Sequence, residues 1–112
     1  MGSESVPGEF FKQPYESMVA YGGFSNVMES GETITLVSST ATALDVNGSD
    51  ASSDILQGNP AIYNDDDGNP WRLGIRVVAG EASKSPYKIT FKILTSLANK
   101  WEVDCYVNVE EL

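Results

Sequence analysis

Tyr87-Lys88-Ile89-Thr90-Phe91-Lys92-Ile93-Leu94 and Trp101-Glu102-Val103-Asp104-Cys105-Tyr106-Val107-Asn108-Val109-Glu110 decide the fold. In both, the large apolar residues fall on odd positions and mostly polar ones on even positions, the period of two that sets one face of a β-strand against a core. Their β-branched and aromatic content favours extended chain over helix. Ser96-Leu97-Ala98-Asn99-Lys100 is the natural connection between them. Closure there predicts Thr95 opposite Trp101, Lys92 opposite Asp104 and Lys88 opposite Asn108. The inner face then carries Ile93, Phe91 and Ile89 against Val103, Cys105 and Val107. A slip of one residue would turn Lys and Glu into the core, so the alternation is expected to fix the register.

Working outward, Trp71-Arg72-Leu73-Gly74-Ile75-Arg76-Val77 repeats the alternation, with arginines on the even positions. Tyr15 to Tyr21 reads as a strand broken by Gly22-Gly23. Gly31-Glu32 reads as a turn launching a further strand over Thr33 to Thr42. Asn47-Gly48 is a turn signal. Ile55-Leu56 and Ala61-Ile62-Tyr63 are two short pieces ahead of the turn-rich Asn64-Asp65-Asp66-Asp67-Gly68-Asn69-Pro70. No apolar period of 3.6 is sustained, so no long helix is expected. The expectation is all-β: an immunoglobulin-like two-sheet sandwich of about seven short antiparallel strands over residues 11–112, with residues 1–10 as a flexible lead-in. A small β-barrel is the alternative.

The 112 residues carry a net charge of −9, with no histidine and one cysteine. Imidazole triads and His-liganded metal sites are thereby excluded, as are internal disulfides. Net negative charge argues against nucleic acid, which needs clustered Lys and Arg. The polar, acidic start has neither the basic nor the apolar segment of a signal peptide, and no apolar run approaches the ~20 residues of a membrane helix. The expected setting is a cytoplasm, with no membrane partner. Charge is uneven: residues 1–70 hold eleven acids and one base, a net of −10, whereas residues 71–112 hold five acids and six bases, a net of +1.

Asp65, Asp67 and Asn69 have the one-three-five spacing of a calcium loop, but Pro70 and Arg76 stand where that loop needs Gly and Glu. The competing reading is a solvated turn. Arg72, Arg76, Lys88 and Lys92 form a candidate partner surface, or else pair across strands with Glu102 and Asp104. Trp71 and Trp101 open strands beside loops, where exposed rings would make a sugar-stacking platform; their phase with the core residues favours burial. Cys105 takes an inward position, where a thiol behaves as a small apolar side chain. No phosphate-binding glycine loop and no acid–base carboxylate pair stands out, so no catalytic residue and no cofactor is expected, and the chain is not expected to be an enzyme.

The order of motifs carries a resemblance. Phe11-Lys12-Gln13-Pro14-Tyr15-Glu16, Gly31-Glu32-Thr33-Ile34, Leu44-Asp45-Val46-Asn47-Gly48-Ser49-Asp50, Val77-Val78-Ala79-Gly80-Glu81, Tyr87-Lys88-Ile89-Thr90 and Val107-Asn108-Val109-Glu110 follow one another in this chain. So ordered, it resembles a family of small proteins encoded among the virion structural genes of tailed bacteriophages and prophages. That family has a compact glycine-rich turn before the Tyr strand; here the turn, Gly80 to Pro86, is longer. The resemblance implies an immunoglobulin-like fold and a non-enzymatic structural or accessory role at the phage head or head–tail region. It further implies a bacterial cytoplasm during assembly, other virion proteins as partners, a place in the virion and candidate homo-oligomer contacts. The alternative is a surface ligand-binding module for carbohydrate or calcium.

Overall fold

A computed structural model describes residues 8–111. Its strands are β1 Gly8–Lys12, β2 Met18–Gly23, β3 Thr40–Leu44, β4 Leu56–Tyr63, β5 Arg72–Val77, β6 Tyr87–Leu94 and β7 Lys100–Val109. The helical pieces among the described residues are the four-residue α1, Ser52–Ile55, and two short 3-10 turns, Leu36–Ser38 and Ala82–Lys84. The strands form a four-stranded sheet, β1-β7-β6-β3, and a three-stranded sheet, β2-β5-β4. Packed face to face, they make the expected sandwich. Leu73, Ile75 and Val77 of one sheet bury against Ile89, Phe91, Cys105 and Val107 of the other, all below 5 % exposure. Burial of this kind contributes about 25 cal/mol per Å² of apolar surface and is the main force holding the sheets together.

Four expectations need correction. β1 begins at Gly8 and runs parallel to β7, pairing Phe10 with Val107 and Lys12 with Val109. The lead-in therefore yields its last three residues to a strand, and not every pair is antiparallel; residues 1–7 of that lead-in lie outside the described residues. The Gly22-Gly23 break is absent, because β2 continues through both glycines, with Gly22 opposite Leu73. The strand over Thr33 to Thr42 is interrupted: Ile34 makes one bridge to Thr95, the chain turns at Leu36–Ser38, and only Thr40 onward joins β6. The Ser39 hydroxyl donates to the Thr35 carbonyl at 2.9 Å, the local side-chain bond by which Ser and Thr compete with a ladder.

The β6–β7 register also differs from expectation by two residues. Lys92 faces Glu102, Thr90 faces Asp104 and Lys88 faces Tyr106. The inner face keeps its members but re-pairs them, with Phe91 on Val103 and Ile89 on Cys105. Alternation forbids odd slips and is blind to even ones, so the turn decides.

That turn has a form the chain uses three times. Thr95 donates its N–H to the Asn99 carbonyl and accepts Ala98 N–H on its own carbonyl, both at 2.9 Å. Its hydroxyl oxygen accepts from Leu97 N and Asn99 N. Asp45 does the same with Ser49, Gly48 and Asn47, and Asp65 with Asn69, Gly68 and Asp67. The fourth residue of each loop is left-handed: Gly48 and Gly68 at φ 84° and Ala98 at φ 64°. Only Ala98 carries a Cβ there, a conformation costing about 1–2 kcal/mol in a non-glycine residue. After the entropy that glycine adds to the unfolded chain, Ala98→Gly is expected to raise stability by about 0.5–1 kcal/mol. Thermal unfolding would show it as a Tm higher by a few degrees, and an unchanged or lower Tm would contradict this account of the loop.

Candidate functional site

β1 and β2 are the edge strands of their sheets and lie across the sandwich from one another. The sheets pack tightly at Gly22, where an added Cβ would stand 2.4 Å from Val103 Cγ1 and 2.9 Å from Phe91 Cδ2. Beyond that pinch they part into a cleft of about 330 Å³. Gly22 and Gly23 form its floor, Phe10, Trp71 and Val103 stand in its walls, and Glu9, Asp65, Arg72 and Asp104 supply charge around it.

Its aromatic wall is built by packing. The rings of Phe10 and Tyr21 meet edge to face, 5.3 Å between centroids at 73°. The Arg72 guanidinium lies 4.4 Å from the centre of the Tyr21 ring, a cation–π contact, and reaches the Asp66 carboxylate at 3.5 Å. Asp66 is 95 % exposed, so that ion pair is worth little in energy, but it helps direct the guanidinium fork. Trp71 is held at both ends: its carbonyl accepts Phe24 N–H at 2.9 Å, and its indole N–H donates to the Glu32 carbonyl at 2.8 Å. Within the β6–β7 ladder the Thr90 hydroxyl donates to Asp104 at 2.7 Å, fixing that carboxylate.

Behind Trp71 stands a group that the sequence reading passed over. Glu32 is only 2 % exposed, and no ion pair among the described residues includes it. Its carboxylate accepts Glu29 N–H at 2.9 Å and Asn99 Nδ2–H at 3.1 Å, and takes the Thr95 hydroxyl proton as well. Hydrogen bonds from Thr95 and then from the Glu29 amide hold its pKa below the ordinary value of 4.5, outweighing burial. The carboxylate thus stays ionised and ties the 24–32 loop, with its grip on Trp71, to the β6–β7 turn. The Glu-x-x-Glu spacing of Glu29 and Glu32 was the signal available, since a side chain reaching back three residues caps a turn.

The other sequence candidates fall as follows. Asp65 Oδ1 accepts from the amides of its own loop, so Asp65, Asp67 and Asn69 lie in a hydrogen-bonded turn. Among the described residues no three acids and thiols are grouped to hold a metal. The four-cation surface is split between sheets: Arg72 and Arg76 stand on β5, Lys88 and Lys92 on β6. Arg76 donates to the Ser17 hydroxyl at 2.9 Å, and Lys92 lies 4.0 Å from Glu102. Trp101 is half-buried and lines a separate groove with Lys92 and Lys100, so the two tryptophans form no common platform. Cys105 is fully buried, and burial foremost, with Asp104 adding, pushes its thiol up to about 12, which removes it as nucleophile or ligand. No helix among the described residues is long and apolar enough to cross a membrane.

No family model matches the sequence, and no curated protein matches it. Among solved structures, the chain is similar to CopC from Methylosinus trichosporium OB3b, with a TM-score of 0.57 and 16 % identity over 96 % of this chain and 89 % of that one. At that identity the likeness is one of fold, a β-sandwich in both. It overturns the expectation of a phage structural protein: the neighbour is CopC, a copper-binding protein, and no comparison points to a phage family. The copper chemistry does not follow from the fold. Thiolate, thioether and imidazole are ligands that draw copper strongly, and this chain has no histidine and a buried protonated thiol.

Proposed function

We propose that the chain is a non-catalytic ligand-binding module that takes a carbohydrate in the cleft between β1 and β2. The observation that carries this reading is the stack of Phe10, Tyr21 and Arg72 beside Trp71 over a floor of glycine backbone. A sugar ring has an apolar face and a polar edge, and needs an aromatic surface next to fixed donors and acceptors. Arg72 offers a planar fork already immobilised on Tyr21, so little side-chain entropy is lost on binding. Asp104, oriented by Thr90, and Glu9 supply acceptors at the rim. The cleft volume lies at the low end of the usual range for small-molecule sites, which fits one or two sugar rings better than a long chain. A non-catalytic role is supported by the lack of imidazole and the burial of the only thiol.

The test is titration of the protein with a panel of mono- and oligosaccharides, followed by calorimetry and by tryptophan fluorescence. Saturable binding is expected in the millimolar range or tighter, about −4 kcal/mol or better. Arg72→Ala and Trp71→Phe are expected to weaken it at least about tenfold, a loss of about 1.4 kcal/mol. Trp101→Phe, in its separate groove, should bind as the parent does. A flat titration across the panel, or binding indifferent to Arg72, would sink the reading.

A further inference from the structure

We infer that Asn47-Gly48 is a site of spontaneous deamidation, restrained by the carboxylate of Asp45. Asn47 is exposed and is the one asparagine in the sequence followed by glycine, which puts no Cβ in the way of the reacting amide. In the reaction the backbone nitrogen of Gly48, having lost its proton to solvent, attacks the carboxamide carbon of Asn47. The N–C bond forms, ammonia leaves, and a succinimide ring results. Water then opens the ring at either carbonyl, giving aspartate or isoaspartate, and each event adds one negative charge.

In the folded loop the nucleophile is engaged. Gly48 N–H donates to the Asp45 carbonyl at 3.0 Å, while Asp45 Oδ1 accepts from Asn47 N at 2.9 Å and Ser49 N at 3.0 Å. Attack therefore requires the loop to open first, and the opening free energy sets the rate. The chain also holds an image of one product. Asp67 stands in the 65–69 loop where Asn47 stands in the 45–49 loop, with the same hydrogen bonds and with Gly68 at the same φ of 84°. The aspartate product fits its loop unchanged. Isoaspartate places an extra carbon in the main chain of a five-residue loop and breaks that pattern. It would also loosen the anchor of Val46 N–H on the Lys84 carbonyl, 2.8 Å long.

Peptide mapping after incubation at mildly alkaline pH and body temperature tests this. Modification is expected first at Asn47, about tenfold faster in Asp45→Ala, because the loop loses two side-chain acceptor bonds. Asp45→Asn, which keeps the acceptor oxygen, should stay near the parent rate, and the urea-unfolded parent should be fastest of all. Asn47→Asp should match the parent in Tm, whereas the isoaspartate fraction should melt lower. Equal rates for the parent and a folded Asp45→Ala overturn the inference. If Asp45→Ala does not fold, equal rates in native and urea-unfolded parent overturn it, as does earlier modification at another asparagine.

Discussion

Lys12→Met is expected to lower stability by about 3 kcal/mol and Tm by roughly 15 °C, although lysine is the residue type most often dismissed as surface charge. Lys12 ends β1 and is 4 % exposed. Its ammonium donates to the carbonyls of Gln13 at 2.8 Å, Pro14 at 3.2 Å and Ala79. Three donors thus meet three carbonyls, and no salt bridge among the described residues includes Lys12. The contact stitches the N-terminal edge strand to the connection between β5 and β6, where Ala79 and Gly80 both take positive φ. Methionine fills the volume but takes a charged donor from three carbonyls, and hydrogen bonds from a charged group contribute about 1.5–3 kcal/mol. Arginine keeps the charge in a larger, planar head that the same three carbonyls cannot surround, so Lys12→Arg should rescue little. Burial holds the Lys12 pKa below 10.5, with Glu16 partly opposing. Between the folded pKa and 10.5 the unfolded chain then binds more protons, so the stability contribution of this side chain rises with pH there. Chemical unfolding of parent and Lys12→Met across that alkaline window checks the sign. A gap between them that narrows with rising pH would show that burial does not depress this pKa.

The alternation of β5, β6 and β7 made those three strands and their buried faces readable in advance, because period two needs no partner to be seen. What escaped notice depended on distant partners. Gly8-Glu9-Phe10-Phe11-Lys12 has no alternation, and β1 is extended chiefly because β7 is there to pair with it. Lys12 meets Ala79 and Glu32 meets Asn99, each across 67 residues of chain, so no local pattern marks either charge as buried. The two-residue error in the β6–β7 register came from placing the turn one residue late at each end; Thr95-Leu97-Ala98-Asn99 carries the same bonds as the two Asp-x-x-Gly loops but without their glycine. At the site, Trp71, Arg72 and Asp65 each carry a local sequence signal. Phe10, Tyr21 and the two glycines that turn them into a cleft join them only when the sheets close.

That closure rests on Gly22, and Gly22→Ala is expected to cost about 3 kcal/mol. The new methyl would meet Val103 Cγ1 at 2.4 Å and Phe91 Cδ2 at 2.9 Å, distances real carbon atoms do not tolerate, and neither neighbour is the free end of a flexible chain. Phe91 is fully buried and cannot swing away, so the strain must move β2 or turn Val103 out of its rotamer. Val103→Ala alone should cost less than a full core truncation, because Val103 is only half-buried. Combined with Gly22→Ala it removes the worst clash, and the double variant is expected to be more stable than Gly22→Ala alone by 1 kcal/mol or more, a coupling of the size neighbours in contact show. Urea unfolding of the four proteins closes the cycle. Additive costs would mean that the pinch is relieved by movement of the whole strand instead of by Val103. The same movement would be read at the cleft, whose floor is Gly22 and Gly23. If β2 shifts outward, Tyr21 carries Arg72 with it and ligand affinity falls in Gly22→Ala, returning in the double variant along with stability.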